Sequence, residues 1–343
     1  MNRFLALLLI FFISGSDICA WGFFAHRRIN RLAIFSLPPE MIGFFKANIQ
    51  FITENAINPD RRRYAVMGEA EKHFIDADNY GDSAVYKLPR YWPQALESFT
   101  KEELRQHGIG PWNAYHVKIQ LTEAFKKKDT KAILRLAADL GHYIADINVP
   151  LHTTKNYNGQ LTGQNGIHAF WESRVPELLS DDFDFFVGQA EYLPSPQLTA
   201  WQAVINAHAA LDSVLNFERI LSEKFPDDKK YSFEERGGIN TRVYSKPFTI
   251  AYNEMLNGQI ERQMQNSIKM IADFWYTAWV DAGQPDLNSL LKSPIEGMKE
   301  TFDPKEQLEI REHEGLSSTD PQNETRRSFV RSMWSASPPK TTE

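Results

Sequence analysis

A chain of 343 residues with a formal charge of −6 exerts no general attraction on nucleic acid, so any such binding must be local. Its single cysteine, Cys19, excludes a disulfide framework, so stability cannot come from cross-links. The length suffices for one large domain or two small ones.

The first 20 residues read as a secretory signal peptide. Arg3 gives a positive start, the run from Phe4 to Ile13 is apolar but too short to span a bilayer, and Ile18-Cys19-Ala20 offers a cleavage site. Cutting there would start the mature chain at Trp21 and remove the only thiol, and the expected location is periplasmic or secreted. Apolar spacing then predicts helices over residues 25–36, 39–47, 112–127, 129–147, 195–221 and 248–281. In the fourth of these, Ile133, Leu134, Leu136, Ala137, Leu140, Ile144 and Ile147 recur at helical spacing, with Asp129 as N-cap and Pro150 past the end. Polar, Gly-containing loops are expected at 81–90 and 155–166. No alternating β-branched runs bounded by hairpin turns stand out, and no internal repeat. The expected class is therefore all-α, a single multi-helix domain over residues 21–312, followed by a polar tail at 313–343 that is not expected to pack.

The chemistry is concentrated between His142 and Glu172, where the pattern is HxxxD, five residues, H, fifteen residues, HxxxE. Residues four apart share a helix face, so His142 can reach the same ion as Asp146, and His168 the same ion as Glu172. Imidazole with carboxylate is the donor mix of a catalytic zinc rather than a structural one. Further donors lie upstream at His26, Asp60 and His73, and a free amino group on Trp21 would add a nitrogen beside its carbonyl oxygen. His107, His116, His208 and His313 have no such company and read as ordinary histidines. Arg61, Arg62 and Arg63 form a charge run of the kind that lines solvated faces, with Arg63 also a candidate phosphate contact.

An N-terminal Trp21 after cleavage, His26, Asp60, the run His73-Phe74-Ile75-Asp76, then HxxxD, Pro150-Leu151-His152 and HxxWE resemble the ordered signature of the phospholipase C/P1 nuclease superfamily. The motifs span residues 21–172, and the helical region beyond 195 is similar only in character. The resemblance implies a nearly all-helical fold with three zinc ions that cleaves phosphate esters. One zinc would take Asp60, His73, His142 and one oxygen of Asp146. A second would take His152, His168 and Glu172. The third would take Trp21, His26 and the other oxygen of Asp146. Asp146 would then bridge two ions, and Asp60 would help orient or deprotonate the attacking water.

The substrate divides two subfamilies. Glu172 stands where the nucleases usually have Asp, and the loop between His152 and His168 is shorter than theirs, which points to a phospholipid headgroup. The spacing of Trp21 and His26, and Arg63 three residues after Asp60, point instead to a single-stranded nucleic acid. Ser173 replaces the nuclease Asn after the last ligand, Phe24 replaces a phospholipase Glu, and Arg61 replaces a phospholipase Tyr. The expectation is an exported zinc phosphodiesterase, phospholipase C-like before nuclease-like, with a non-catalytic zinc-binding helical protein as the reading from another class.

Overall fold

Helices form where apolar residues recur every three to four positions, and most of the expected ones are present. The structure is a computed structural model that describes residues 22–236 and 239–292. The expected signal peptide, Trp21 and the tail at 313–343 lie outside the described residues. The first helices are α1 (Phe23–Ala33), α2 (Pro39–Ala47), α3 (Ile49–Asn55) and α4 (Asn58–Arg62). Three short ones follow, α5 (Ala84–Lys87), α6 (Trp92–Ser98) and α7 (Lys101–Gln106), then the long pair α8 (Gly110–Lys127) and α9 (Thr130–Asp146). After α10 (Ile167–Ala169) and α11 (Val175–Leu179) come α12 (Pro196–Lys224), α13 (Asp227–Lys230), α14 (Lys246–Leu256) and α15 (Gln259–Asp281).

α9 is the axis on which the rest is hung. The Asp129 carboxylate caps it by accepting from the Ala132 N–H at 3.1 Å. Its last turns, from Leu136 to Asp146, are buried all round, enclosed by α1, α3, α8 and α15. Ile133, Leu134, Leu140 and Ile144 have no exposed surface, and each such side chain contributes roughly 1.5–3 kcal/mol. That burial fixes the rotation of α9, and with it the direction in which His142 and Asp146 point.

Close approach of α1 to α9 depends on Gly141. A Cβ there would lie 1.9 Å from Asn30 Oδ1, and the Asn30 amide is held in place by donating to the His26 carbonyl at 3.1 Å. A second glycine does the same for the 69–76 segment. Gly108 has φ +88°, and a Cβ on it would meet the Phe74 carbonyl at 2.2 Å.

Three expectations need correction. The loop expected at 81–90 holds one helical turn, α5, flanked by loop on both sides. The stretch 248–281 is two helices, because Asn257 and Gly258 both take left-handed φ values of 49° and 73° between α14 and α15. Asn followed by Gly is a helix stop, and it outweighs the apolar stripe running across it. A hairpin is also present, β1 (Tyr231–Arg236) with β2 (Ile239–Tyr244), antiparallel, with Tyr231 opposite Tyr244. Its signal in the sequence was the Gly237-Gly238 pair, a dipeptide that favours hairpins, between stretches carrying Tyr231, Phe233, Thr241, Val243 and Tyr244. Apart from this hairpin and the connecting loops, the described residues are helical, and the class is all-α.

Candidate metal centre

Asp60 sits in α4, which starts through Asn58 and Pro59 and aims the carboxylate inward. His73 follows a single 3-10 turn and is strapped on two sides. The Gly110 N–H donates to the Phe74 carbonyl at 2.9 Å, and the Ile75 N–H to the His152 carbonyl at 2.9 Å. His142 and Asp146 occupy the last turn of α9. His73 Nδ1, His142 Nε2, Asp60 Oδ1 and Asp146 Oδ2 then converge. His73 lies 2.8 Å from Asp146, 3.1 Å from His142 and 3.8 Å from Asp60. His142 lies 3.2 Å from Asp146 and 3.7 Å from Asp60.

His152, His168 and Glu172 form a second group on much shorter elements. His152 rides on a 3-10 turn (Pro150–Thr153), His168 on α10, and Glu172 on a π-helical turn (Phe170–Arg174). His168 Nε2 is 3.0 Å from both His152 Nε2 and Glu172 Oε2, and His152 Nε2 is 3.7 Å from that oxygen. The plain α-helical spacing expected for His168 and Glu172 is thus replaced by a π turn, a distortion that recurs at functional sites. A third group joins His26 to His142 and Asp146. The His26 and His142 rings stack at 3.8 Å, and His26 Nε2 lies 3.4 Å from Asp146 Oδ1. All eight side chains are buried; the first and third groups share His142 and Asp146, and the second lies beside them, with His152 Nδ1 3.8 Å from Asp146 Oδ1.

The donor chemistry fits a metal ion. His142 Nδ1 donates to the Ala56 carbonyl at 2.8 Å and His152 Nδ1 to the His73 carbonyl at 2.6 Å, which turns both Nε2 atoms toward the cluster. Neither Asp60 oxygen nor His26 Nε2 has a hydrogen-bond partner, although all are buried. Buried polar atoms are rarely left so, unless something else is to bind them. The observed separations also suit the task, since ligands about 2.0–2.1 Å from a tetrahedral zinc sit roughly 3.3 Å apart.

Charge tells the same story. Burial is the main reason that His26, His152 and His168 are lowered to about 3 and His73 to about 4. They are neutral, the form that ligates metal. Burial also works against a charge on His142, but Asp146 and Asp60 outweigh it and push His142 up to about 9. Burial, aided by Asp146, raises Asp60 to about 8 against the pull of His142, while His142 and His152 overcome burial to hold Asp146 well below the usual carboxylate range. The cluster calls for positive charge at the point where Asp60, His142 and Asp146 meet.

Arg63 is half-buried, and its Nη1 is enclosed without a hydrogen-bond partner. Its positive charge is felt at His73, His152 and His168. Trp21 is outside the described residues, but its neighbour is informative. A Cβ on Gly22 would lie 2.3 Å from Ser173 Oγ, so the chain at residue 22 packs directly on the residue after Glu172. Of the histidines set aside, His107 pairs with Asn79 and His116 with Gln120, and His313 lies outside the described residues. His208 is closer to the chemistry. The Thr153 hydroxyl donates to the Pro150 carbonyl and so accepts from His208 Nδ1 at 3.0 Å, tying α12 to the His152 turn.

Fold and centre together define an all-helical protein built around a buried histidine–carboxylate cluster. No family model and no curated protein matches the chain. Among solved structures it is similar to the alpha toxin of Clostridium absonum, at 13% identity and a TM-score of 0.48, over 77% of this chain and 65% of the toxin. It is also similar to the alpha-toxin from an avian strain of Clostridium perfringens, at 13% identity and a TM-score of 0.46, over 79% of this chain and 66% of that one. The chain thus spans just under two thirds of the length of each toxin.

Proposed function

We propose that this chain is an exported, zinc-dependent phosphodiester hydrolase of the phospholipase C/P1 nuclease superfamily, with phospholipase C-like specificity. One observation carries the reading. Eight of the nine donors that the sequence resemblance implies are buried and converge in three groups, two of which share His142. Structural zinc sites are typically Cys-rich, and this cluster is built from imidazoles and carboxylates alone, which favours the enzyme over a non-catalytic zinc-binding protein.

Asp60, His73, His142 and Asp146 would hold one zinc, and His152, His168 and Glu172 a second. His26 and Asp146, with the Trp21 amino and carbonyl groups, would hold the third. Bound zinc supplies Lewis acidity, lowering the pKa of a water and neutralising charge on phosphate oxygens. The chain's own residues do the rest. Asp146 turns Oδ2 toward His73 and His142 and Oδ1 toward His26, the posture of a bridging carboxylate. Asp60, with both oxygens unpartnered, can orient an attacking water or take its proton. Arg63 can offer its unpartnered Nη1 to a phosphate oxygen.

Glu172 in place of the nuclease Asp, and the short loop between His152 and His168, support the phospholipid reading. Arg63 favours the second reading, cleavage of single-stranded DNA or RNA. Activity on bis-p-nitrophenyl phosphate that a chelator removes and zinc restores is the expected result. No turnover by zinc-loaded protein, across phosphatidylcholine vesicles, single-stranded DNA and RNA, would sink the proposal, and the relative rates choose between substrates. One extra residue left before Trp21 should cost the third zinc, read by metal counting.

A further inference from the structure

We propose that Arg62, Glu69, Asp139 and Tyr143 are a positioning network that sets the geometry, and hence the metal affinity, of the Asp60–His73–His142–Asp146 group. The proposal rests on the reading above that this group holds zinc. Arg62 grips Asp139 with two prongs, Nη1 to Oδ1 at 3.2 Å and Nη2 to Oδ2 at 3.1 Å. The same Nη2 reaches Glu69 Oε1 at 3.1 Å and the Tyr143 hydroxyl at 3.3 Å. The Tyr143 hydroxyl in turn donates to Glu69.

Each member is a near neighbour of a proposed ligand. Arg62 is two residues after Asp60, Glu69 one turn before His73, Asp139 one turn before His142, and Tyr143 adjacent to His142. One guanidinium therefore ties together the three chain segments that must meet at the ion. The Tyr143 ring completes the link by presenting itself to the imidazoles of His73 at 5.5 Å and His142 at 5.7 Å, both edge-on. Tilting Tyr143 moves both ligands.

Stability alone is a poor reason for such a device. A buried ion network is often matched or bettered by well-packed apolar residues, whereas groups that orient metal ligands have a function that apolar residues cannot copy. Charge balance points the same way. Arg62 and Lys72, which pairs with Glu69 at 2.9 Å, offset Glu69 and Asp139, so the network leaves the negative field of Asp60 and Asp146 intact for a cation. The His152–His168–Glu172 group meets this network only at one remove, through the bond from His152 to the His73 carbonyl, so the effect should be strongest at the first group.

The test is zinc titration of the full chain against competing chelators, with metal counting and a melting curve in chelator. Tyr143→Phe removes only the hydroxyl, and Arg62→Lys keeps the charge but loses the two-pronged grip. We expect the zinc of this group to bind about 10–100-fold more weakly in Arg62→Lys, and less severely so in Tyr143→Phe, with the zinc of the His152–His168–Glu172 group unaffected. A Co2+ absorption band changed at one site only would support the same conclusion. Unchanged affinities, an equal loss at every site, or a lower melting temperature alone would overturn the proposal. Should Arg62→Lys fail to fold, Tyr143→Phe decides. A wild-type chain that takes up no zinc overturns both this network and the reading beneath it; zinc uptake by the wild type that Tyr143→Phe leaves unchanged overturns the network alone.

Discussion

Asp60, His73, His142 and Asp146 are anchored by a 17-residue helix buried in the core and by the ion network of Arg62, whereas His152, His168 and Glu172 ride on three short turns. The second group is held by local bonds instead. Within the 155–166 loop the Leu161 N–H donates to Asn156 Oδ1 at 2.8 Å and the Gly166 N–H to Asn158 Oδ1 at 3.0 Å, and Gln164 reaches Glu218 on α12 at 2.6 Å. Beyond Glu172, Arg174 donates to the Tyr244 carbonyl at 3.0 Å and pairs with Glu234, and Phe170 stacks on Tyr244 at 3.9 Å, so the hairpin braces the π turn. A long helix inherits its precision from the core, while short elements must acquire theirs from side-chain bonds. The second group should therefore open more readily than the first.

The change with the largest expected effect attacks the first-group carboxylate that also lies beside the second group, 3.8 Å from His152 Nδ1. Asp146→Asn keeps the shape but removes the charge that faces His73, His142 and His26. Hydrolysis of bis-p-nitrophenyl phosphate should be nearly abolished, and bound zinc should fall by more than one ion per chain. Turnover at the wild-type level would refute the bridging role. Next comes Gly141→Ala, which strikes the first group through the core. The new methyl would overlap Asn30 Oδ1, and overpacking of this kind costs typically 1–3 kcal/mol. Urea unfolding should register that loss, and separation of α1 from α9 should release the zinc expected at His26 while the His152 group keeps its own. Adding Asn30→Ala should recover much of the stability; if it does not, the glycine is not there for close approach.

How much of this was legible beforehand depends on how local each signal is. The donors are spaced along the chain in an order that can be read directly, and α9 declares itself through its apolar stripe and Asp129 cap. Asn257-Gly258 and Gly237-Gly238 were equally local signals, but a continuous apolar stripe and a short strand pair concealed them. Arg62 is a different case. In the sequence it sits in a run of three arginines that suggests a solvated face, yet it is buried because Asp139 and Glu69, far apart in sequence, meet it in space. The role of Gly141 is likewise invisible until α1 is known to cross α9 at Asn30. The π turn at Glu172 has no signal in the residues that we can identify.

The smallest expected effect probes the brace on the second group. Glu234 lies on an exposed strand and pairs with Arg174, whose guanidinium is itself buried beside the π turn. Glu234→Gln removes the charge and leaves the bond from Arg174 to the Tyr244 carbonyl. Ion pairs with one exposed partner contribute little, about 0.2–1 kcal/mol, so the melting temperature should barely move. What should change is local. Hydrogen exchange over residues 231–244 should quicken by about threefold, and zinc should leave the His152–His168–Glu172 group faster by a similar factor, with the first group unaffected. Equal acceleration at both groups would mean that the hairpin acts on the whole fold and that the halves are not separately braced. No acceleration at either would mean that the local bonds of the 155–166 loop suffice, and that the hairpin contributes nothing to holding Glu172.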